Sequence, residues 1–419
     1  MLLAMAWRNL WRHGRRTLIT AAAMAVSIAF VMAMLAYIDG MYRKMAEVMI
    51  DQTTGHVQVH NPAYEKTREL FDTIPQAQAR LDAVAALPGT RAVTSRLMGF
   101  ALVGGDTETS GAQLVGVQPE RELTIVPMNE RISTGHWLEP GRDHEIVLGK
   151  GLADTLKVQV GQQVVAVTQA SDGSLGNDLY RVVGIVESGS VLLDRSGAWM
   201  TLSDLQALLV LPDQVHEITV LTPTQDPKVG NPDTLAAAAS IQQAVDSIGD
   251  QAPLKAETWW QASPGTAELM GTSDMSAAVS MGIVFAVAGL GILNTMLMSV
   301  FERTRELGVM KALGTRPGKV VALVLWESVL LAGLSVAGGL VLGGGLDAFL
   351  VVHGLSLTST SGDRLSTGGV LFDPMIMGVV RADRIVFTVI SLVVVSILAA
   401  LWPAMRAARL RPVDAMRAD

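Results

Sequence analysis

Four stretches of the chain stay apolar for about 20 residues or more, the length a helix needs to cross a bilayer. They run through 17–38 (TLITAAAMAVSIAFVMAMLAYI), 275–301 (MSAAVSMGIVFAVAGLGILNTMLMSVF), 320–346 (VVALVLWESVLLAGLSVAGGLVLGGGL) and 385–405 (IVFTVISLVVVSILAALWPAM). The pattern predicts membrane-spanning helices at 17–40, 275–301, 320–346 and 385–405. Within the four apolar runs themselves Asn294 and Glu327 are the strongly polar side chains, and Glu327 is the ionisable one. An intramembrane carboxylate is a functional candidate by default. This one lies about two turns from the 302–319 end of its span, where it is placed to reach headgroups, Arg316 or Lys319. Gly339-x-x-x-Gly343 in the same span permits close approach of a neighbouring helix.

Between the first two spans the pattern changes to alternating and β-branched runs. HVQVH (56–60), RAVTSRLMGFALVG (91–104), AQLVGV (112–117), EIVLG (145–149), QVVAVTQ (163–169), YRVVGIVES (180–188) and EITVLT (217–222) read as strands. Helical spacing interrupts them at about 74–86, 150–157, 202–210 and 233–248. Residues 41–274 are therefore expected to form a large α+β domain of two subdomains. The 347–384 loop is Gly/Ser/Thr-rich over 354–369 and turns apolar again at Val370-Leu371-Phe372 before Asp373-Pro374.

Charge fixes the orientation. The whole chain carries 32 Lys+Arg against 39 Asp+Glu, a formal charge of −7. That total hides a partition: 1–16, 302–319 and 404–419 together hold a balance of +9, and the rest holds −16. Basic loops stay on the cytoplasmic side, so both termini and 302–319 are expected there, with 41–274 and 347–384 on the far side. Arg8, Arg12, Arg15 and Arg16 precede the first span as they would a signal peptide. The apolar run is longer than a signal core, and Tyr37-Ile38-Asp39-Gly40-Met41-Tyr42 offers no small-residue cleavage site, so it reads as a retained anchor. In 1–16, Leu3, Trp7, Leu10 and Trp11 recur at helical spacing among the arginines, as in a helix lying on the inner membrane face.

Candidate chemistry is sparse. Half of the residues are hydrophobic, 17% are charged and mean hydropathy is +0.37, a balance that excludes disorder and, with no basic excess, bulk binding of nucleic acid. The chain has no cysteine, which removes disulfides and thiolate chemistry. Gly314-Thr315-Arg316-Pro317-Gly318-Lys319-Val320 and Gly149-Lys150-Gly151 fail the spacing or the hydroxyl of a phosphate-binding loop. His56 and His60 could share a strand face, but without a third ligand they read as surface or strand-packing residues. Met32, Met34, Met41, Met45 and Met49 offer a pliable apolar surface near the far end of the first span.

The stretch with most information is Phe301-Glu302-Arg303-Thr304-Arg305-Glu306-Leu307-Gly308-Val309-Met310-Lys311-Ala312-Leu313-Gly314-Thr315. Its spacing predicts a short amphipathic helix with Leu307, Met310 and Leu313 on one side, mixed charge opposite and Gly314 as its stop. Such a helix suits docking onto another protein.

This stretch resembles the signature of the FtsX/MacB/Lol-type ABC transporter permeases, the type VII or mechanotransmission group. Trp7-Arg8-Asn9-Leu10 with Arg15-Arg16-Thr17, Glu327 before a Gly-rich half-span, and Arg411-Pro412-Val413-Asp414-Ala415-Met416-Arg417 resemble other parts of that family. Leu152-Ala153 and Val158-Gln159-Val160-Gly161-Gln162-Gln163-Val164 resemble its MacB-type periplasmic core. The resemblance implies a non-catalytic membrane subunit of the bacterial inner membrane, paired with a second permease copy or a paralogue. A separate ATPase subunit would hold ATP and Mg²⁺, and this chain would carry no cofactor or metal. By position, contact with that ATPase falls to Glu302, Arg303, Arg305, Glu306, Gly308, Lys311, Leu313 and Gly314.

Three jobs compete within the family. Release of lipoprotein or other lipid-linked cargo is favoured by the large outer domain and by Gly55-His56-Val57-Gln58-Val59-His60, which resembles Lol-type sequences. MacB-like efflux with an adaptor and an outer-membrane duct comes second, and FtsX-like control of cell-wall hydrolases third. A periplasmic carrier or adaptor would be the further partner. An anchored sensor or adhesion domain, a different class, has no use for the ordered charges of 302–314.

Overall fold

A computed structural model describes residues 2–188, 190–224, 227–248, 253–356, 366–367, 370–371 and 375–409. In chain order come α1 (Leu2–Arg12), α2 (Gly14–Met49), a π-helical turn (Ile50–Thr54), β1 (Val57–His60), α3 (Pro62–Thr67), α4 (Ala77–Ala85), β2 (Ala92–Gly104), β3 (Thr109–Val117) and α5 (Pro119–Ile125). Then follow β4 (Ile132–Gly135), β5 (Glu145–Gly149), α6 (Lys150–Leu156), β6 (Gln163–Gln169), β7 (Leu175–Val186), α7 (Val191–Ser196), β8 (Gly197–Thr201), α8 (Leu202–Leu209) and β9 (Glu217–Leu221). The chain continues through α9 (Pro232–Asp246), β10 (Lys255–Thr258), α10 (Trp259–Ala262), α11 (Pro264–Glu302), α12 (Thr304–Ala312), α13 (Pro317–His353) and α14 (Ala382–Arg409). Two compact units result: residues 1–42, 270–356 and 375–419 form a helical unit, and 43–269 with 357–374 form an α/β unit.

In the helical unit α2, α11, α13 and α14 are each long and apolar enough to cross a membrane. Their ends overrun the apolar bounds. The helix of the first span continues to Met49, and that of the third to His353, taking in the first residues of the expected 347–384 loop. Hydropathy marks where a helix meets lipid; good helix formers such as Met41, Lys44, Ala46 and Glu47 carry it further. Met24, Ile28, Val31 and Leu35 of α2 pack with Phe285 and Ile292 of α11, Leu331 of α13 and Leu392 of α14. Met32 belongs to this core, so it is no part of a free methionine surface. The predicted glycine face is real: a Cβ on Gly339 would fall 2.7 Å from Ile28, and one on Gly343 2.7 Å from the Met32 sulfur. Where lipid is as apolar as the side chains, such backbone-close packing carries helix association.

All seven expected strands are present in the α/β unit. The sequence pattern missed β4, β8 and β10, and the physical reasons differ. β8 (GAWMT) is buried along its whole length, so it shows no alternation, whereas β10 (KAET) is a polar edge strand. The sheet runs β10-β1-β9-β2-β3-β8-β5-β7-β4, with β6 joining β2 to β7. That bridge closes β2, β3, β8, β5, β7 and β6 into a ring, filled by Leu97, Leu114, Ile146, Leu148, Val164, Tyr180 and Met200 under α6 and α8. A second core gathers Val57, Val59, Ile218 and Val220 with Leu81 of α4 and Ile241 of α9. The two cores lie within one compact unit, and the 13-residue β2 runs between them.

The chain leaving α2 and the chain entering α11 meet in this unit. β1 pairs antiparallel with β10, Val57 opposite Thr258 and His60 opposite Lys255, and the Trp259 amide donates to the His56 carbonyl at 3.0 Å. His56 and His60 are strand-packing residues as expected. The Thr222 amide donates to His56 Nδ1 at 3.2 Å, and His60 lies 3.3 Å from Glu257. Among the described residues no group of three or more His, Asp or Glu gathers as a metal site would.

His216 makes the α/β unit pH-sensitive. It is fully buried and stacked on Tyr64 at 4.2 Å; its Nδ1 accepts from the Met98 amide at 3.0 Å and its Nε2 lies 3.1 Å from the Leu70 carbonyl. Burial lowers its pKa to about 4, below the unfolded value of about 6.5. The unfolded chain then binds the proton first as pH falls, so the stabilisation is complete above about 6.5 and is lost between there and about 4. Wild-type protein should lose about 2–3 kcal/mol over that window that His216→Gln keeps. Thermal melting of both from pH 7.5 to 4.5 checks it, and parallel curves would place the titration elsewhere.

Candidate functional site

α12 is short and begins after a break at Arg303 (φ −110°, ψ 14°). It ends where Gly314 takes a φ of +89°, a conformation that favours glycine. The Gly314 and Thr315 amides return to the Lys311 and Met310 carbonyls at 3.0 and 3.1 Å, closing the helix as the sequence predicted. Leu307 and Met310 seat it against Val300, Val320, Val324, Ala404 and Ala407, which belong to α11, α13 and α14.

Leu313 does not join them; it is 83% exposed. Residues three apart advance only about 300° around a helix. The 307, 310, 313 series therefore drifts by about 60° at each step and leaves the buried side. The outward stripe is instead Arg305, Val309 and Leu313, spaced by four. Arg305 has no side-chain partner among the described residues.

The remaining charged residues face the protein. Arg303 is buried and donates from Nη1 to Glu327 Oε1 at 2.7 Å; its Nε lies 3.4 Å from Glu306 Oε2. Asn9 of α1 donates to the same Glu327 oxygen at 2.7 Å. Glu327, itself buried, is thus held by Arg303 and Asn9, and the expected reach to headgroups, Arg316 or Lys319 is corrected. A buried carboxylate is stable only beside an equally buried cation and donor. The arginines of the first segment are also engaged. Arg12 pairs with Glu306, and Arg16 holds Glu302 at 2.9 and 3.0 Å, with His13 3.4 Å away. Burial pushes the Glu306 carboxyl up, but Arg12 and Arg303 outweigh it and hold the group below its ordinary range. Lys311 donates to the Ala408 carbonyl at 2.7 Å.

The apolar side of α1 is divided: Ala6 and Leu10 are buried, while Leu3, Trp7 and Trp11 are exposed. Of the predicted site residues, the structure gathers Glu302, Arg303, Glu306 and Glu327 into one ionic seat. It turns Arg305 and Leu313 outward, buries Gly308 and leaves Asn294 exposed on α11, away from that seat. The resemblance at Arg411–Arg417 lies outside the described residues.

Sequence reasoning missed Asp39, Asp347 and Arg384 because all three lie beyond the apolar bounds. The signal was the helix-forming sequence that continues past them. Arg384 Nη2 lies 3.5 Å from Asp39 Oδ1, and Asp347 is 4% exposed.

A family model described as a MacB-like periplasmic core domain matches residues 17–240, and one described as FtsX-like permease C-terminal matches 278–412. The lipoprotein-releasing system transmembrane protein LolC of Neisseria meningitidis serogroup B is 24% identical over 332 residues, covering 76% of this chain and 75% of that one. The macrolide export ATP-binding/permease protein MacB 2 of Aeromonas hydrophila is 24% identical over 429 residues, 98% of this chain. This chain spans 60% of that relative's length. Among solved structures, the periplasmic region of MacB from Actinobacillus actinomycetemcomitans aligns over 50% of this chain and 91% of its own, at 13% identity and a TM-score of 0.37.

Proposed function

The chain belongs to the ABC transporter permeases that join a MacB-like periplasmic core domain to an FtsX-like permease region, and from that membership we propose that a separate ATPase subunit drives it through α12. The observation that carries this reading is the division of α12 into two sides. One side is fixed in the helical unit by Leu307, Met310 and the buried Arg303–Glu327 pair. The other presents Arg305, Val309 and Leu313 to solvent. A helix both rigidly seated and exposed in this way transmits a push. ATP and Mg²⁺ are held by the partner, and this chain supplies no catalytic residue or cofactor. The complex sits in the inner membrane with α12 and both termini in the cytoplasm and the α/β unit outside, as a dimer with a second permease copy or a paralogue.

The force then has a path. α2 and α11 lead by chain connection to β1 and β10, which are adjacent and antiparallel, so relative movement of the two helices shears or rotates that strand pair. The work appears outside the membrane, without a polar route for cargo through the spans. We assign the cargo to lipoprotein or another lipid-linked molecule. LolC supports this, since its similarity covers three quarters of both chains. MacB-like efflux is the second reading, supported by a match along 98% of this chain.

Reconstitution with the ATPase tests both parts. Leu313→Asp, at an exposed position, should leave thermal stability within about 0.5 kcal/mol. It should nevertheless cut capture of the ATPase and ATP-dependent release of an acylated lipoprotein from proteoliposomes about tenfold or more. Undiminished capture refutes docking through α12. Capture with ATP-driven macrolide movement and no lipoprotein release replaces the cargo assignment by efflux.

A further inference from the structure

At the end of the helical unit opposite α12, the segment before α14 straps two spans together. The Val379 amide donates to the Ala36 carbonyl of α2 at 2.9 Å, and the Gly378 amide to the Leu350 carbonyl of α13 at 3.0 Å. Beneath the strap is a small cavity lined by Asp39 of α2, Asp347 of α13, and Arg381, Arg384 and Thr388. Arg381 is engaged by Asp383 at 2.8 Å. Arg384 Nη2 lies 3.5 Å from Asp39 Oδ1. Asp347 is 4% exposed, and its Oδ1 has no hydrogen-bond partner among the described residues.

A buried carboxylate without a partner costs several kcal/mol. A residue that pays it in one arrangement is accounted for if it is satisfied in another. Arg384 lines this cavity together with two carboxylates on two different helices, and it cannot serve both fully in one position. We propose that Asp347 is the alternative acceptor for Arg384, so that the guanidinium exchanges Asp39 for Asp347 when α2 shifts against α13 and α14. In the arrangement described here the arginine ties α14 to α2. In the other it ties α14 to α13 and releases α2, the helix whose chain continues into β1. The exchange keeps one buried ion pair in each state, which makes both states accessible where a single fixed pair would favour one.

The absence of native cysteines allows a direct test with the pair Ala36→Cys and Val379→Cys in the full chain, in nanodiscs, reading the rate of disulfide formation. Asp39→Asn should slow cross-linking about fivefold, the worth of roughly 1 kcal/mol, because Arg384 then moves to Asp347. Asp39→Glu, which keeps a carboxylate, should restore the rate. Asp347→Asn should cross-link at the parent rate or faster, and in the Asp39→Asn background it should recover at least half of the loss. Because Asp347→Asn replaces a buried carboxyl whose Oδ1 has no hydrogen-bond partner among the described residues, it should melt no lower than the parent. An Asp347→Asn change silent in the Asp39→Asn background overturns the proposal, as does an Asp39→Asn variant that cross-links like the parent.

Discussion

Replacing Glu327 by alanine is expected to weaken ATPase association about tenfold or more, although Glu327 lies under α12 and not on its exposed stripe. The substitution leaves the Arg303 guanidinium buried with one long contact, 3.4 Å to Glu306. Breaking a buried pair from one side costs about 3–5 kcal/mol. α12 has nine residues and is held by few apolar contacts, so that cost exceeds what an isolated helix of this length contributes to its own stability. The helix should fray or lift from its seat, and the outward stripe loses its geometry. About 1.4 kcal/mol of this cost appearing in the docked state already amounts to tenfold in affinity. Glu327→Gln keeps an acceptor for Arg303 and Asn9 and should lose less; Asn9→Ala, which removes one hydrogen bond, less again. The paired change Arg303→Leu with Glu327→Leu supplies the decisive comparison. Removing both charges together avoids the stranded cation, so the double variant should bind the ATPase better than Glu327→Ala alone. Binding measured by ATPase capture from nanodiscs checks the series. If the double variant is as weak as the single, the ion pair acts on the ATPase by something other than holding α12.

The spans, the outer α/β domain and the existence of α12 were legible because each rests on periodicity. A 20-residue apolar run, an alternating strand and a glycine stop are local facts of the sequence. The ionic seat was legible only in part. Glu302, Arg303 and Glu306 stood out by their order, but their partners Arg12, Arg16 and Glu327, and Asn9 that donates to Glu327, are distant in sequence, and nothing in a linear pattern pairs them. Leu313 was placed on the wrong side because three-residue spacing approximates a helix turn only over one step. The Asp39, Asp347 and Arg384 group was hidden for a different reason: apolar windows end where charge begins, whereas the helices do not.

Glu122→Ala should have the largest effect on the α/β unit, lowering its melting temperature by roughly 10 °C, as expected for the loss of about 3–5 kcal/mol from a unit of this size. Glu122 of α5 and Arg96 of β2 are both buried. The guanidinium donates from Nε at 3.0 Å and from Nη2 at 2.7 Å to Glu122 Oε1, while Thr94 donates to Oε2 at 3.1 Å. The third arm of Arg96, Nη1, donates to the Thr53 carbonyl at 2.6 Å, within the π-helical turn that follows α2. One arginine therefore joins the strand shared by both cores, the helix beside it and the chain arriving from the first span. Without Glu122 it remains buried and charged with a single carbonyl. Glu122→Gln, which keeps the shape and an acceptor, should cost less than half as much. The effect should extend to function: slackening at Thr53 weakens the hold on the end of α2, so ATP-dependent work on cargo should fall more steeply than ATP hydrolysis. Melting of the full chain and the ratio of cargo release to ATP hydrolysed, measured at a temperature where Glu122→Ala is still folded, separate the two effects. A folded variant with an unchanged ratio would confine Arg96 to stability and remove it from the path between α2 and the outer domain.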